Sequence, residues 1–177
     1  MPIPNFIDNY FLPPGEHECT LKEIEEIFLI QNNSQARENE WSNFKFIINK
    51  MITLNISPSI ILIDGSFVTK RKKIGDVDFV CLIKPQKIKN ALNNSNNQFD
   101  QNAIYMLYNS KFKDIVRSLF GAHSFVVPDK KSLDQWSNFF QQTKTTNYNR
   151  DPSWVNPPNK KGILKIDLRK EGYNGKL

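Results

Sequence analysis

Apolar positions recur at helical spacing in the first third of the chain and in short unbroken runs afterwards. Thr20 stands three residues before Glu23, the capping-box spacing, and Ile24, Ile27 and Phe28 follow at helical intervals, predicting a helix over 21–30. Asn32-Asn33-Ser34 breaks it and offers a cap to a second helix over 35–54. Trp41, Phe44, Ile48, Met51 and Ile52 share one face of that helix, with Arg37, Glu38, Asn43 and Lys50 assigned elsewhere. Pro58 precludes its continuation. Ile60-Ile61-Leu62-Ile63, ended by Asp64-Gly65, reads as a buried strand, and Val77 to Ile83 as a second, stopped at Pro85. The segment 90–102, rich in Asn and Gln, reads as a polar loop. A helix from Phe112 to Phe120 ends at Gly121, and His123 to Val127 forms a third strand before Pro128. Ser132 caps a helix bearing Leu133, Trp136, Phe139 and Phe140. A Pro-containing loop over 143–161 leads to a final strand, Ile163 to Leu168, and a Gly-rich tail.

Two helices followed by alternating strands and helices predict an α/β or α+β fold, a small mixed sheet flanked by helices. The prolines Pro2, Pro4, Pro13 and Pro14 make residues 1–18 an extended arm on the surface of a single domain over 19–177. At 177 residues the chain suffices for one real core, and 13 Phe among 12% aromatic residues argue against disorder. No internal repeat is visible.

Charge and cysteine content add a bias. A formal charge of +6 favours an anionic partner such as RNA, DNA or nucleotide phosphate. Two cysteines, Cys19 and Cys81, make no disulfide framework, and Cys81 in its apolar run reads as a small buried hydrophobe. A reducing, cytoplasmic compartment is the expectation, with neither a signal peptide nor a membrane span.

Candidate chemistry lies between 65 and 78. Gly65 at a strand end permits a sharp turn and close approach of backbone N–H groups to a phosphate, and Ser66 adds a hydroxyl. Asp76 and Asp78 flank Val77; two apart in a strand, both carboxylates face one side, where a hard cation such as Mg²⁺ would relieve their repulsion. Lys70-Arg71-Lys72-Lys73 supplies four consecutive cations beside this site. His17 and His123 are the only histidines; no zinc-ligand spacing appears, and His123 reads as a strand residue near the pocket rather than a ligand. Trp41, Trp136 and Trp154 read as core and lid packing, with Trp154 within reach of a nucleobase. P-loop and hydrolase-elbow patterns are absent.

An apolar strand, Gly65-Ser66, roughly ten residues, then Asp76-Val77-Asp78-Phe79 resembles the signature of the DNA polymerase β-like nucleotidyltransferase superfamily. Phe11-Leu12-Pro13-Pro14-Gly15, Ile63 to Val68, and Lys161-Gly162-Ile163 add a narrower resemblance to small bacterial nucleotidyltransferase-like proteins. The resemblance implies a nucleotidyltransferase fold in which Gly65, Ser66, Lys70 and Lys72 bind the phosphates of ATP or another NTP. It implies that Asp76 and Asp78 hold Mg²⁺ or Mn²⁺ for transfer of a nucleoside monophosphate to an RNA end, such as a tRNA, or to a protein or small-molecule hydroxyl. A toxin–antitoxin or phage-defence module is the implied setting. The family's third carboxylate has no counterpart in His123–Val127, which leaves Asp167 as the catalytic candidate from a later strand. Two further readings stand beside it: a fold that binds nucleotide, nucleic acid or a partner protein without turnover, and RNA binding through the Lys70–Lys73 loop.

Overall fold

A computed structural model describes residues 3–7, 10–31, 34–71, 74–143 and 159–170. Aliphatic runs that are buried on both faces become the centre of a five-stranded sheet, β2 (Ile60–Asp64), β3 (Asp78–Leu82) and β5 (Gly162–Asp167), with β1 (Gly15–Glu18) at one edge and β4 (His123–Val127) at the other. The strand order is β1-β5-β2-β3-β4. β2 runs antiparallel to both β3 and β5, whereas β1 pairs parallel with β5 and β4 parallel with β3. A parallel β3–β4 pair requires a long crossover. It is supplied by helices α3 (Pro85–Asn94), α4 (Gln98–Tyr108) and α5 (Lys113–Phe120), numbered after α1 (Leu21–Ile24) and α2 (Gln35–Thr53). The expected α/β class with a small mixed sheet and two N-terminal helices is therefore the observed one.

Alternation along each strand divides the core in two. Ile61, Ile63, Phe79 and Cys81 pack with Phe44, Ile48 and Met51 of α2 and Ile104 and Leu107 of α4. Leu62, Val80, Leu82 and Ile163 face the other way, onto Leu133 and Phe140 of α6 (Lys130–Phe140). Burying both faces makes the central strands near-continuous aliphatic sequences, which is why they are legible. Cys19 and Cys81 are both buried.

Four expectations change. The Asn- and Gln-rich segment is largely helix, because Ile88 and Ala91 of α3 and Ile104 and Leu107 of α4 suffice to seat two helices whose amides face outward. Asn97 caps α4, its side-chain oxygen accepting from Phe99 N–H at 2.9 Å. Residues 1–18 are not a surface arm alone: Gly15–Glu18 extends the sheet, and Ile3, Phe11 and Leu12 are buried. α6 starts two residues before Ser132, capped by Asp129, which accepts the Ser132 N–H at 2.8 Å. The helix over 21–30 begins as the α-helix Leu21–Ile24 and continues as a π-helical segment, Glu25–Ile30, with the Thr20–Glu23 capping box present. Among the described residues no helix is long and apolar enough to cross a membrane. Lys72, Lys73, Trp154, most of the 143–161 loop and the Gly-rich tail lie outside the described residues.

Candidate functional site

Strand register assembles the site. Asp64, the last residue of β2, is paired with Asp78, the first of β3, and Asp78 with His123, the first of β4. Residues directly opposite on neighbouring strands project to the same face. The row Asp64–Asp78–His123 therefore crosses one end of the sheet on the side covered by α6. His123 Nδ1 lies 3.1 Å from Asp78 Oδ1, to which it donates when that nitrogen is protonated. Asp76, just ahead of β3, comes back to the same place: one ligand atom each from Asp76, Asp78 and His123 lie within 4.8 Å of one another.

Gly65 turns the chain here with φ 85°, a conformation that favours glycine. A Cβ at this position would stand 2.6 Å from Asp78 Oδ2, so the missing side chain is what admits that carboxylate. Ser66 opens a 3-10 turn, Ser66–Val68, and its Oγ accepts the Gly75 N–H at 2.9 Å, tying the start of the connecting loop to its end. Arg37 secures the middle. Although charged, it is 1% exposed, and its guanidinium donates to the carbonyls of Phe67 and Thr69, both at 2.6 Å, and of Arg71 at 2.9 Å. Burial lowers its pKa to about 10, which leaves it charged at neutral pH. Its placement corrects the assignment of Arg37 away from the buried face of α2: it lies one turn before Trp41 on that face, with its head in a nest of carbonyls.

The electrostatics are crowded. Burial pushes the Asp78 carboxyl up from its usual range, with the charges of Asp76 and Asp64 adding to the effect and His123 opposing it. Burial and the charge of Asp76 likewise raise Glu40 of α2. Cationic partners surround the acids: Arg117 Nε lies 2.6 Å from Asp76 Oδ2, and Lys161 forms a buried ion pair with Asp64. A cleft of about 520 Å³ opens from Asp64, Asp78 and His123 toward Phe125, Trp136 and Phe139, with Lys113 on its rim. Trp136 lies against Phe125, ring centroids 4.4 Å apart, beside the carboxylate row.

Gly65, Ser66, Asp76 and Asp78 are thus brought together. Lys70 is directed elsewhere: its ammonium sits 5.0 Å from the centre of the Phe6 ring, and its N–H donates to the Tyr10 carbonyl. These contacts are with the N-terminal segment, whereas the sequence placed Lys70 at the phosphates. Asp167 also falls outside. β5 pairs it with Ile60, four residues before Asp64, hence about 13 Å away along β2. Its carboxylate is bound by Arg169 through Nε at 2.8 Å and Nη2 at 2.6 Å. The antiparallel register is the reason Asp167 cannot complete the site. Asp64, Arg117 and Lys161 were not anticipated there, and His123, expected as a strand residue near the pocket, enters as a partner of Asp78. The signal available for two of them was position: Asp64 closes one predicted strand and His123 opens another.

Residues 4–167 match the family of unknown function DUF6932, so the chain belongs to that family. No curated protein matches it, and no solved structure does.

Proposed function

We propose that this DUF6932 chain has a nucleotidyltransferase fold and is a divalent-cation-dependent enzyme transferring a nucleoside monophosphate from an NTP to a hydroxyl acceptor. The observation that carries the reading is the contact between the two halves of the signature: Gly65 can sit at the end of β2 only because it yields space to Asp78 at the head of β3. Gly65-Ser66 and Asp76-x-Asp78 are therefore one site, with phosphate-binding and cation-binding parts side by side.

The donor set suits a divalent cation. Asp76, Asp78 and His123 converge, and the raised Asp78 carboxyl is the mark of negative charge awaiting compensation. When bound, such a cation supplies charge neutralisation at the phosphate and lowers the pKa of the acceptor hydroxyl. The chain's own share is positional. Asp76 and Asp78 hold the cation, Ser66 and the backbone after Gly65 orient the phosphates, and Arg37 fixes the loop that joins them. The cleft lined by Phe125, Trp136 and Phe139 offers the flat apolar surface a nucleobase stacks on.

A second reading, binding without turnover, is favoured by one observation. Arg117, His123 and Lys161 already partner the three aspartates, an arrangement that also suits a site without a cation. Labelled NTPs with Mg²⁺ or Mn²⁺ and total tRNA separate the two. Label transfer that vanishes in Asp76→Ala/Asp78→Ala is the expected result; nucleotide binding that survives those changes with no transfer leaves the binding module standing.

A further inference from the structure

We propose that the imidazole of His123 is a direct ligand of the divalent cation, so that the site prefers Mn²⁺ to Mg²⁺. The inference deepens the proposed cation site and rests on that reading. It also reverses the sequence-based expectation that His123 is only a strand residue beside the pocket.

Geometry supplies the first reason. Ligands at right angles on an octahedral ion with bonds of about 2.1 Å stand about 3 Å apart. His123 Nδ1 and Asp78 Oδ1 are 3.1 Å apart, and Asp76 offers a third donor within 4.8 Å of both residues. The position is fixed by the sheet rather than by a flexible loop: His123 is the Cα partner of Asp78 in the parallel β3–β4 ladder, and Phe125 packs against its ring at a centroid distance of 4.5 Å. Ligands borne on strands are held more tightly than ligands on loops.

The second reason is donor chemistry. Carboxylate oxygens suit Mg²⁺ and Mn²⁺ alike, but an imidazole nitrogen raises affinity for first-row transition ions over Mg²⁺. Mn²⁺ accepts such a mixed set without abandoning octahedral coordination.

Mn²⁺ alone is a sufficient probe with the full chain. Loss of the free-ion electron paramagnetic resonance signal reports binding, and nitrogen-14 modulation of the bound-ion echo reports a directly coordinated imidazole. The expected result is saturable binding with nitrogen modulation, displaced only by Mg²⁺ at roughly ten-fold or greater excess. His123→Asp should keep binding Mn²⁺, lose the modulation and narrow the preference toward parity. Bound Mn²⁺ without nitrogen modulation in the unaltered protein overturns the proposal, whatever happens to the variant's folding. Modulation that persists in His123→Asp, or no saturable binding, overturns it too. Label transfer measured in parallel keeps the readings apart: nitrogen coordination without transfer retires the enzyme and keeps the ligand, and transfer without nitrogen coordination does the reverse.

Discussion

At one end of the sheet Asp167 receives two side-chain hydrogen bonds from Arg169, which hold its carboxyl below the usual range. At the other end Asp78 is pushed above that range by burial and by the charges of Asp76 and Asp64, with one histidine in opposition. Both residues sit in strands of the same sheet and both are acids in apolar runs. Sequence context makes them look alike. What separates them is how many other acids crowd each one. Asp167 has a dedicated cation two residues on, in the turn that follows its strand. Asp78 sits among Asp76 and Asp64, which have their own cationic partners in Arg117 and Lys161, and is itself opposed by His123 alone, so an added cation there would relieve its raised carboxyl. An acid pulled down is satisfied by its partner, and an acid pushed up among other acids is a candidate for cation binding.

The comparison can be broken at the loop that makes one end crowded. Arg37→Met should remove three hydrogen bonds to the carbonyls of Phe67, Thr69 and Arg71 and leave those acceptors buried. At about 1–3 kcal/mol for each unsatisfied group, the loss should be roughly 3 kcal/mol or more, read as a lower urea midpoint. Arg37→Lys keeps the charge but lacks the planar fork, so it should fall between. Mn²⁺ binding should fail in Arg37→Met even where the protein remains folded, because the loop no longer returns Asp76 to Asp78. A midpoint unchanged from the parent would show that Arg37 does not hold the loop.

Asp78→Asn sharpens the comparison through pH. A carboxyl whose folded pKa is raised favours the folded state below its unfolded pKa, near 3.9, and loses that contribution as pH rises through the folded value. Ionised Asp78 is therefore unfavourable to folding at neutral pH. Asparagine retains an oxygen to accept from His123 while removing the charge. The variant should melt higher than the parent at pH 7, with the gap closing as the pH falls toward about 4. Adding Mn²⁺ should raise the parent's melting temperature and leave the variant's nearly unchanged. A gap that does not vary with pH would mean that crowding of charge is not what distinguishes this end.

How much of this was legible follows from how local each feature is. The aliphatic runs 60–63 and 77–83 announced buried strands, and Gly65-Ser66 with Asp76-x-Asp78 announced the site, because each lies within a few residues of chain. The Asn- and Gln-rich helices were hidden because two buried positions per helix leave little periodicity to see. Arg37 stood at core spacing, four residues before Trp41, yet its charge placed it on the outer face. Only the carbonyls of residues thirty and more positions away explain its burial. Asp64, His123, Arg117 and Lys161 enter through register and tertiary contact, which sequence adjacency does not carry. The misplacement of Asp167 has the same origin: β5 lies beside β2 rather than beside β3, and runs in the direction that carries its acid away from Asp64.

The smallest effect is expected at that acid, and it decides whether the two ends are separate. Asp167→Asn removes an ion pair whose arginine side chain is 64% exposed, so solvent and salt already screen it, and the cost should stay within about 1 kcal/mol. Its pH dependence runs opposite to that of Asp78. A carboxyl with a lowered folded pKa contributes stability above the ordinary carboxylate range and loses it as pH falls through the lowered value, so the variant's deficit should appear at neutral pH and disappear in strong acid. Mn²⁺ binding and label transfer should match the parent, since Asp167 stands about 13 Å along β2 from Asp64. Transfer that fell with Asp167→Asn as far as with Asp78→Asn, at unchanged stability, would mean that both ends of the sheet serve one site. The closed pair at Asp167 would then no longer be a valid contrast for the open one at Asp78.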